Sequence, residues 1–421
     1  MSNSAIQRIS TGILTGRWAL SASATRMPTP DLVEKNVKSE DRADLGRALT
    51  GEKSRSRFVD ILRGIAVIGV MFHHFYYGSI MNPLEGQGIS LLSLIRLSPN
   101  NGWLGVNLFF ILSGLVLYRP KILLSKSAIR EYYIARIRRL WPLYAMFIFF
   151  ITMITIKDWR YVVFYEAFLL SGLHDLWPYT WMPMPVLWVL WSLGIEILFS
   201  IALPAILIAM ERYGFWRMVL VIVLSAFLYR CVADQLYWAL TANPKISNPL
   251  MNPLKDNILG RIDDFVIGMA AAKLISEKRV FSSFALITAM LCLMLVGAGW
   301  THLYFHGPRT IPLSIFASAL HPLFSVSILV LIVHFSRLES WNLAFFSPVV
   351  FFGTTCYSAY LVHAVLQKYC GFDASGAFIV DAWKFIEYIL LTFSISAFLF
   401  VFVEASGIRK LPDWAARVLG R

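Results

Sequence analysis

Apolar residues along this chain gather in runs of about twenty, separated by short polar stretches, and the runs recur from Phe58 to Val403. A helix rises about 1.5 Å per residue, so each run is long enough to cross a hydrocarbon core about 30 Å thick. The pattern predicts ten spans, near residues 58–78, 103–118, 140–156, 186–210, 217–239, 262–276, 281–302, 312–336, 346–367 and 385–403. An eleventh apolar stretch, Tyr161 to Leu173, has only 13 residues and contains Glu166, and reads as a re-entrant or interfacial piece. The expected fold is all-α, a polytopic transmembrane helix bundle embedded in a lipid bilayer. Composition agrees. Hydrophobic residues make up 57% and charged residues 15%, whereas about 25% of a soluble domain is charged.

Charge then orients the spans. The segment from Arg119 to Arg139 holds seven Lys/Arg in 21 residues, while the five loops on the other side hold nine in about a hundred. The positive-inside rule therefore puts Arg119 to Arg139, and with it both termini, in the cytoplasm. The net charge of +13 is on this reading mostly a topological signal. No soluble basic face supports binding of nucleic acid. Cys231, Cys292, Cys356 and Cys370 show no metal-ligand or CxxC spacing, and no Gly-rich phosphate loop, HExxH or GxSxG motif occurs, which disfavours metal and serine-hydrolase chemistry. Residues 1–56 are rich in Ser, Thr, Arg and Ala without a long apolar run, the signature of a disordered cytoplasmic tail. The first 27 residues, free of acids, also have the look of an organelle transit peptide. Residues 57–409 form the membrane domain and 410–421 a short cytoplasmic tail.

Ionisable groups inside the apolar runs are the candidates for chemistry, because they are costly there and usually face a bundle interior. The first span carries Asp60, Arg63, His73 and His74. Eleven residues separate Arg63 from His74, which returns to within about 20° of the same face after a climb of about 16 Å. His73 points about 80° away. An imidazole takes and returns protons near neutral pH, making His74 the candidate base; the alternative is an Arg63 that snorkels to the headgroups and a hydrogen-bonded His74. In the second span Gly105, Ser113 and Gly114 suit close helix packing, or a narrow channel for a ligand chain. Arg136 and Arg139, at i and i+3 on a helix entering the membrane, suit forked contacts to phosphates. Glu196 lies deep in an apolar helix and must be paired or protonated. It either pairs with an arginine such as Arg63 or Arg261, or orients a catalytic histidine. Arg261, Asp263 and Asp264 stand at a helix entrance, where carboxylates favour the N-terminus. Tyr357, Tyr360, His363 and Glu404 complete the set.

Taken in order, these pieces resemble the acyltransferase-3 family of integral membrane O-acyltransferases, over about residues 57 to 409. The family's Arg, ten residues, His pattern falls on Arg63 and His74, its Arg-x-x-Arg element on Arg136 and Arg139, its G-V-x-L-F-F-x-L-S-G segment on Gly105 to Gly114, and its W-S-L-x-x-E on Trp191 to Glu196. The late tyrosine-rich motif ends at His363. The chain departs from the family at Asn107, where an acid or Gln is frequent, at Ile197, where a second Glu is common, and at Ala405-Ser406, where Arg-Pro is frequent. The resemblance implies transfer of an acyl group, acetyl first among the candidates, from cytoplasmic acetyl-CoA or another acyl-CoA to a hydroxyl of a cell-surface or secreted glycan or glycolipid, at the bacterial inner membrane and without a metal. His74, Arg63 and Glu196 would be catalytic; Arg136, Arg139 and Ser113 would hold the donor. The alternatives are a transporter of glycan or lipid that makes no bond, and an acyltransferase for a small secondary metabolite.

Overall fold

The computed structural model describes residues 57–81, 101–120, 125–155, 157, 159–160, 163, 187–240, 254–306, 310–337, 346–372 and 378–404. All belong to one compact unit, Gly51–Arg421. The segments 1–56 and 410–421, and the stretch Tyr161 to Leu173 apart from Val163, lie outside the described residues.

Every described element is helical. Helices α1 (Arg57–Met81), α2 (Leu104–Leu117) and α3 (Lys126–Thr155) precede a 3-10 turn, Leu187–Leu190, that leads into α4 (Trp191–Tyr213). Then follow α5 (Phe215–Leu240), α6 (Ile258–Ser276), α7 (Ser283–His306) and α8 (Ile311–Phe335). The short α9 (Ser347–Thr354), α10 (Cys356–Cys370) and α11 (Phe378–Leu399), with a closing π turn Phe400–Glu404, complete the bundle. Each of the ten expected spans finds a helix or helix pair. Among the described residues seven helices are long and apolar enough to cross a membrane, or eight if α9 and α10, bent by 80°, form one broken span.

The two that fall short are α2 and α6, and the reason is physical. Helix α2 has 14 residues, about 21 Å at 1.5 Å per residue. Helix α6 carries Arg261, Asp263, Asp264 and Lys273. Both are central. Val106, Phe110, Ile111 and Leu112 of α2 and Phe265, Val266, Ile267 and Met269 of α6 are buried in two adjoining apolar clusters. Helices α5, α7 and α11 instead leave large apolar side chains exposed, such as Leu228, Met294 and Phe398, as lipid-facing helices do.

The central pair meets backbone to backbone. A methyl group added at Gly114 of α2 would collide with the Phe265 carbonyl of α6, and one added at Gly268 would collide with the Ile111 carbonyl. Small residues permit this approach where lipid supplies no hydrophobic drive between helices. Gly114→Ala and Gly268→Ala should each destabilise the protein by about 1–3 kcal/mol through overpacking, read as a lowered thermal midpoint in detergent; unchanged midpoints would show that the helices can part without loss.

Candidate active site

Four helices and the head of α10 enclose a cavity of about 770 Å³, counting its open mouth. Helix α2 contributes the stripe Val106, Phe109, Phe110, Ser113, Val116 and Leu117, whose spacing keeps one helical face toward the space. Arg63 comes from α1, Arg136 and Arg139 from α3, Ser192 and Glu196 from α4, and Tyr357 and Tyr360 from α10. The chain bends by 80° between α9 and α10, just ahead of the two tyrosines. Their hydroxyls are anchored: Tyr357 donates to the Leu140 carbonyl at 2.9 Å, and Tyr360 lies 2.9 Å from the Val189 carbonyl and 2.8 Å from the Ser192 hydroxyl.

Helices α3 and α4 are fastened by polar contacts along one seam. Arg136 donates from Nη2 to Glu196 Oε1 at 2.7 Å and from Nε to the Ser200 hydroxyl at 3.1 Å. The Ser113 hydroxyl approaches the same Oε1 at 3.4 Å. Tyr132 and Tyr133 donate to the carbonyls of Ser200 and Ile201. Glu196 is thus paired with an arginine as one sequence reading required, but the partner is Arg136 rather than Arg63 or Arg261. Arg63 pairs loosely with Asp60, one turn earlier on α1, at 3.4 Å. Arg139 has no hydrogen bond or ion pair among the described residues, although it lines the cavity. The two arginines of α3 are therefore unequal. One is bound into the scaffold; the other meets Glu196 only through space and, among the described residues, has no hydrogen-bond partner to give up to a ligand.

Three guanidinium groups and one carboxylate face this cavity, and Asp60 offsets one more charge from outside its lining. One positive charge remains over, in a space walled by Phe109, Phe110, Leu140 and Leu193. Apolar walls exclude water and strengthen the field of that charge. An anion with several acceptor oxygens, such as a phosphate, is the complementary guest.

His74 stands elsewhere. Sequence spacing put Arg63 and His74 on one face, and so they are, but the face between them carries Val67 and Val70, both with no accessible surface. That packing closes the space, so His74 is absent from the cavity lining. Nor does Glu196 touch it, which corrects the expectation of a direct orienting contact. His74 instead stacks on His363, ring centroids 5.3 Å apart and planes within 17°. The His363 ring lies 5.4 Å from that of Tyr360, which does line the cavity. Two aromatic rings therefore connect the cavity to the candidate base.

A second polar layer surrounds α6. Arg230 grips Asp263 with two hydrogen bonds of 2.8 and 2.9 Å, both side chains without accessible surface. Lys255 pairs with Asp234 at 3.1 Å. Arg261 contacts Asp256 and His321, while Asp264 accepts from Asn107 at 2.9 Å and from the Ser325 hydroxyl. Asp263 and Asp264 do not stabilise the start of α6 as expected; Asn257 caps it, accepting from Leu259 and Gly260. Glu404 accepts from the Ser358 hydroxyl and ties the π turn to α10. Arg230, Asp234 and His321 belong to no motif, and their signal in the sequence is only that each is ionisable within an apolar run. Among the described residues no group of three or more His, Cys, Asp and Glu is arranged to hold a metal ion.

Removing one partner of a buried ion pair strands the other, at a cost of about 3–5 kcal/mol. Arg136→Ala should therefore lower the thermal midpoint sharply, and Arg139→Ala should leave it within a degree or two of wild type. Equal losses for the two variants would show that Arg139 is also bound into the scaffold.

No curated protein matches the chain. Residues 56–403, however, fit the family model of the acyltransferase-3 domain, described as an acyltransferase domain. The match runs from the start of α1 into the closing turn after α11, and takes in every cavity-lining side chain together with His74 and His363. A multi-pass helical chain matched over that length belongs to the acyltransferase-3 family of membrane acyltransferases.

Proposed function

We propose that the protein transfers an acyl group, acetyl first among the candidates, from acyl-CoA to a hydroxyl of a cell-surface or secreted glycan at a bacterial inner membrane. The observation that carries the reading is Arg139, which has no hydrogen bond or ion pair among the described residues, in a cavity whose described lining has a surplus positive charge. Coenzyme A bears phosphates at one end and its thioester on a slender arm at the other. The phosphates would rest against Arg139, supported by Arg63, and the arm would follow the stripe of α2 past Ser113 toward Tyr360. The apolar wall of Phe109, Phe110 and Leu193 suits an uncharged arm.

Chemistry needs a base at the far end of that arm. Neutral His74 would take the proton of the acceptor hydroxyl as its oxygen attacks the thioester carbonyl. The carbon–sulfur bond breaks as the new ester bond forms, and His74 passes the proton it took to the leaving thiolate, releasing free coenzyme A thiol. For this the arm must pass Tyr360, so the ring now closing the cavity turns aside when donor is bound. Glu196 would act at a distance from the reacting atoms, holding Arg136 so that Arg139 is presented alone.

His74→Ala should abolish acylation while the protein still reaches the membrane, checked by mass spectrometry of surface and secreted glycans. Retained acyl increments would remove His74 from the reaction. Arg139→Ala should raise the KM for acyl-CoA about tenfold or more, the worth of a charge-assisted hydrogen bond, with kcat little changed; an unchanged KM would place the phosphates elsewhere.

A further inference from the structure

We propose that His363 is the positioning residue for His74, holding the ring of the base flat against a second imidazole so that it meets the acceptor hydroxyl in one orientation; the inference rests on the reading of His74 as the base. His363 has no accessible surface. Its Nδ1 lies 3.3 Å from the Ala359 carbonyl, an acceptor only, which assigns the ring proton to Nδ1 and the lone pair to Nε2. Nε2 has no hydrogen-bond partner among the described residues. Buried Tyr388 donates to the His363 carbonyl at 3.0 Å and ties this turn of α10 to α11. The ring is thus held from its own helix, and its backbone from α11, and what the ring offers His74 is a flat face rather than a hydrogen bond.

One turn further along α10, the Gln367 side chain donates to the His74 carbonyl at 3.3 Å. One turn back, Tyr360 lines the cavity. Helix α10 therefore touches His74 at both ring and backbone while it also shapes the donor space, and so sets the distance between the two. A base displaced by about 1 Å loses on the order of a hundredfold in rate, because the advantage of a held geometry is steep.

The test measures acceptor-dependent thiol release from acetyl-CoA in membranes that carry the native acceptor, for wild type, His74→Ala, His363→Ala and His363→Phe, alongside thermal midpoints of each purified protein. His363→Ala should lower kcat about a hundredfold with the KM for acetyl-CoA unchanged. His363→Phe keeps a flat ring and loses both nitrogens, and should recover kcat to within a few-fold of wild type. Full activity in His363→Ala, or a loss seen mainly in KM, overturns the inference. So does a His363→Phe protein with a wild-type midpoint and no more activity than His363→Ala, because a ring nitrogen would then be required. If His363→Phe does not fold, His363→Ala alone decides, by the kcat and KM criteria already given. Activity in His74→Ala would instead refute the underlying reading of the base, which keeps the two failures distinct.

Discussion

The bundle holds more positive than negative charge in a space walled by apolar side chains, and that imbalance governs how the rest of the site is arranged. Arg136 is neutralised by Glu196 and Arg63 partly by Asp60, which leaves Arg139 as the charge that a guest must answer. Were Glu196 shared evenly between Arg136 and Arg139, the charge count would be the same but no guanidinium would be ready for a ligand. Ser200 and Ser113 prevent that by drawing Arg136 and Glu196 into one cluster. Selectivity of pairing, not the number of arginines, is what would make room for the proposed anion.

Such a site needs a rigid frame, and the frame is built around two helices that do not resemble membrane spans. Helix α6 is polar for its depth, yet Arg230, Asn107 and Ser325 satisfy its carboxylates. Buried ion pairs of this kind add little net stability but are costly to break. Together with the backbone contacts at Gly114 and Gly268 they hold α2 and α6 as one unit, and α2 then presents Ser113 and the two phenylalanines to the cavity. Gly114 packs and Ser113 lines, one residue apart, so both meanings of the small-residue motif hold on adjacent faces of one helix.

Much of this was legible in the chain itself. Hydropathy located a helix for every expected span, because length and apolar content are local properties. What it did not separate was core from rim: α2 is short and α6 charged since neither faces lipid, and that depends on neighbours distant in sequence. The same divide runs through the site. Motif order picked out Arg63, Ser113, Arg136, Arg139 and Glu196, and the structure gathers all five around one cavity. Helical spacing alone put His74 there too, and failed, because the intervening face carries Val67 and Val70 and is filled. Partner choice was equally hidden; nothing local says that Glu196 takes Arg136, or that Asp263 takes Arg230 from a helix more than thirty residues away.

The proposal that Arg139, without a hydrogen bond or ion pair among the described residues, receives the phosphates of an acyl-CoA donor is tested by equilibrium binding of coenzyme A to the purified protein in detergent. Arg139→Gln should weaken binding by about tenfold or more and flatten its dependence on salt, with the fold intact. Binding equal to wild type in Arg139→Gln, at the same salt dependence, would contradict it.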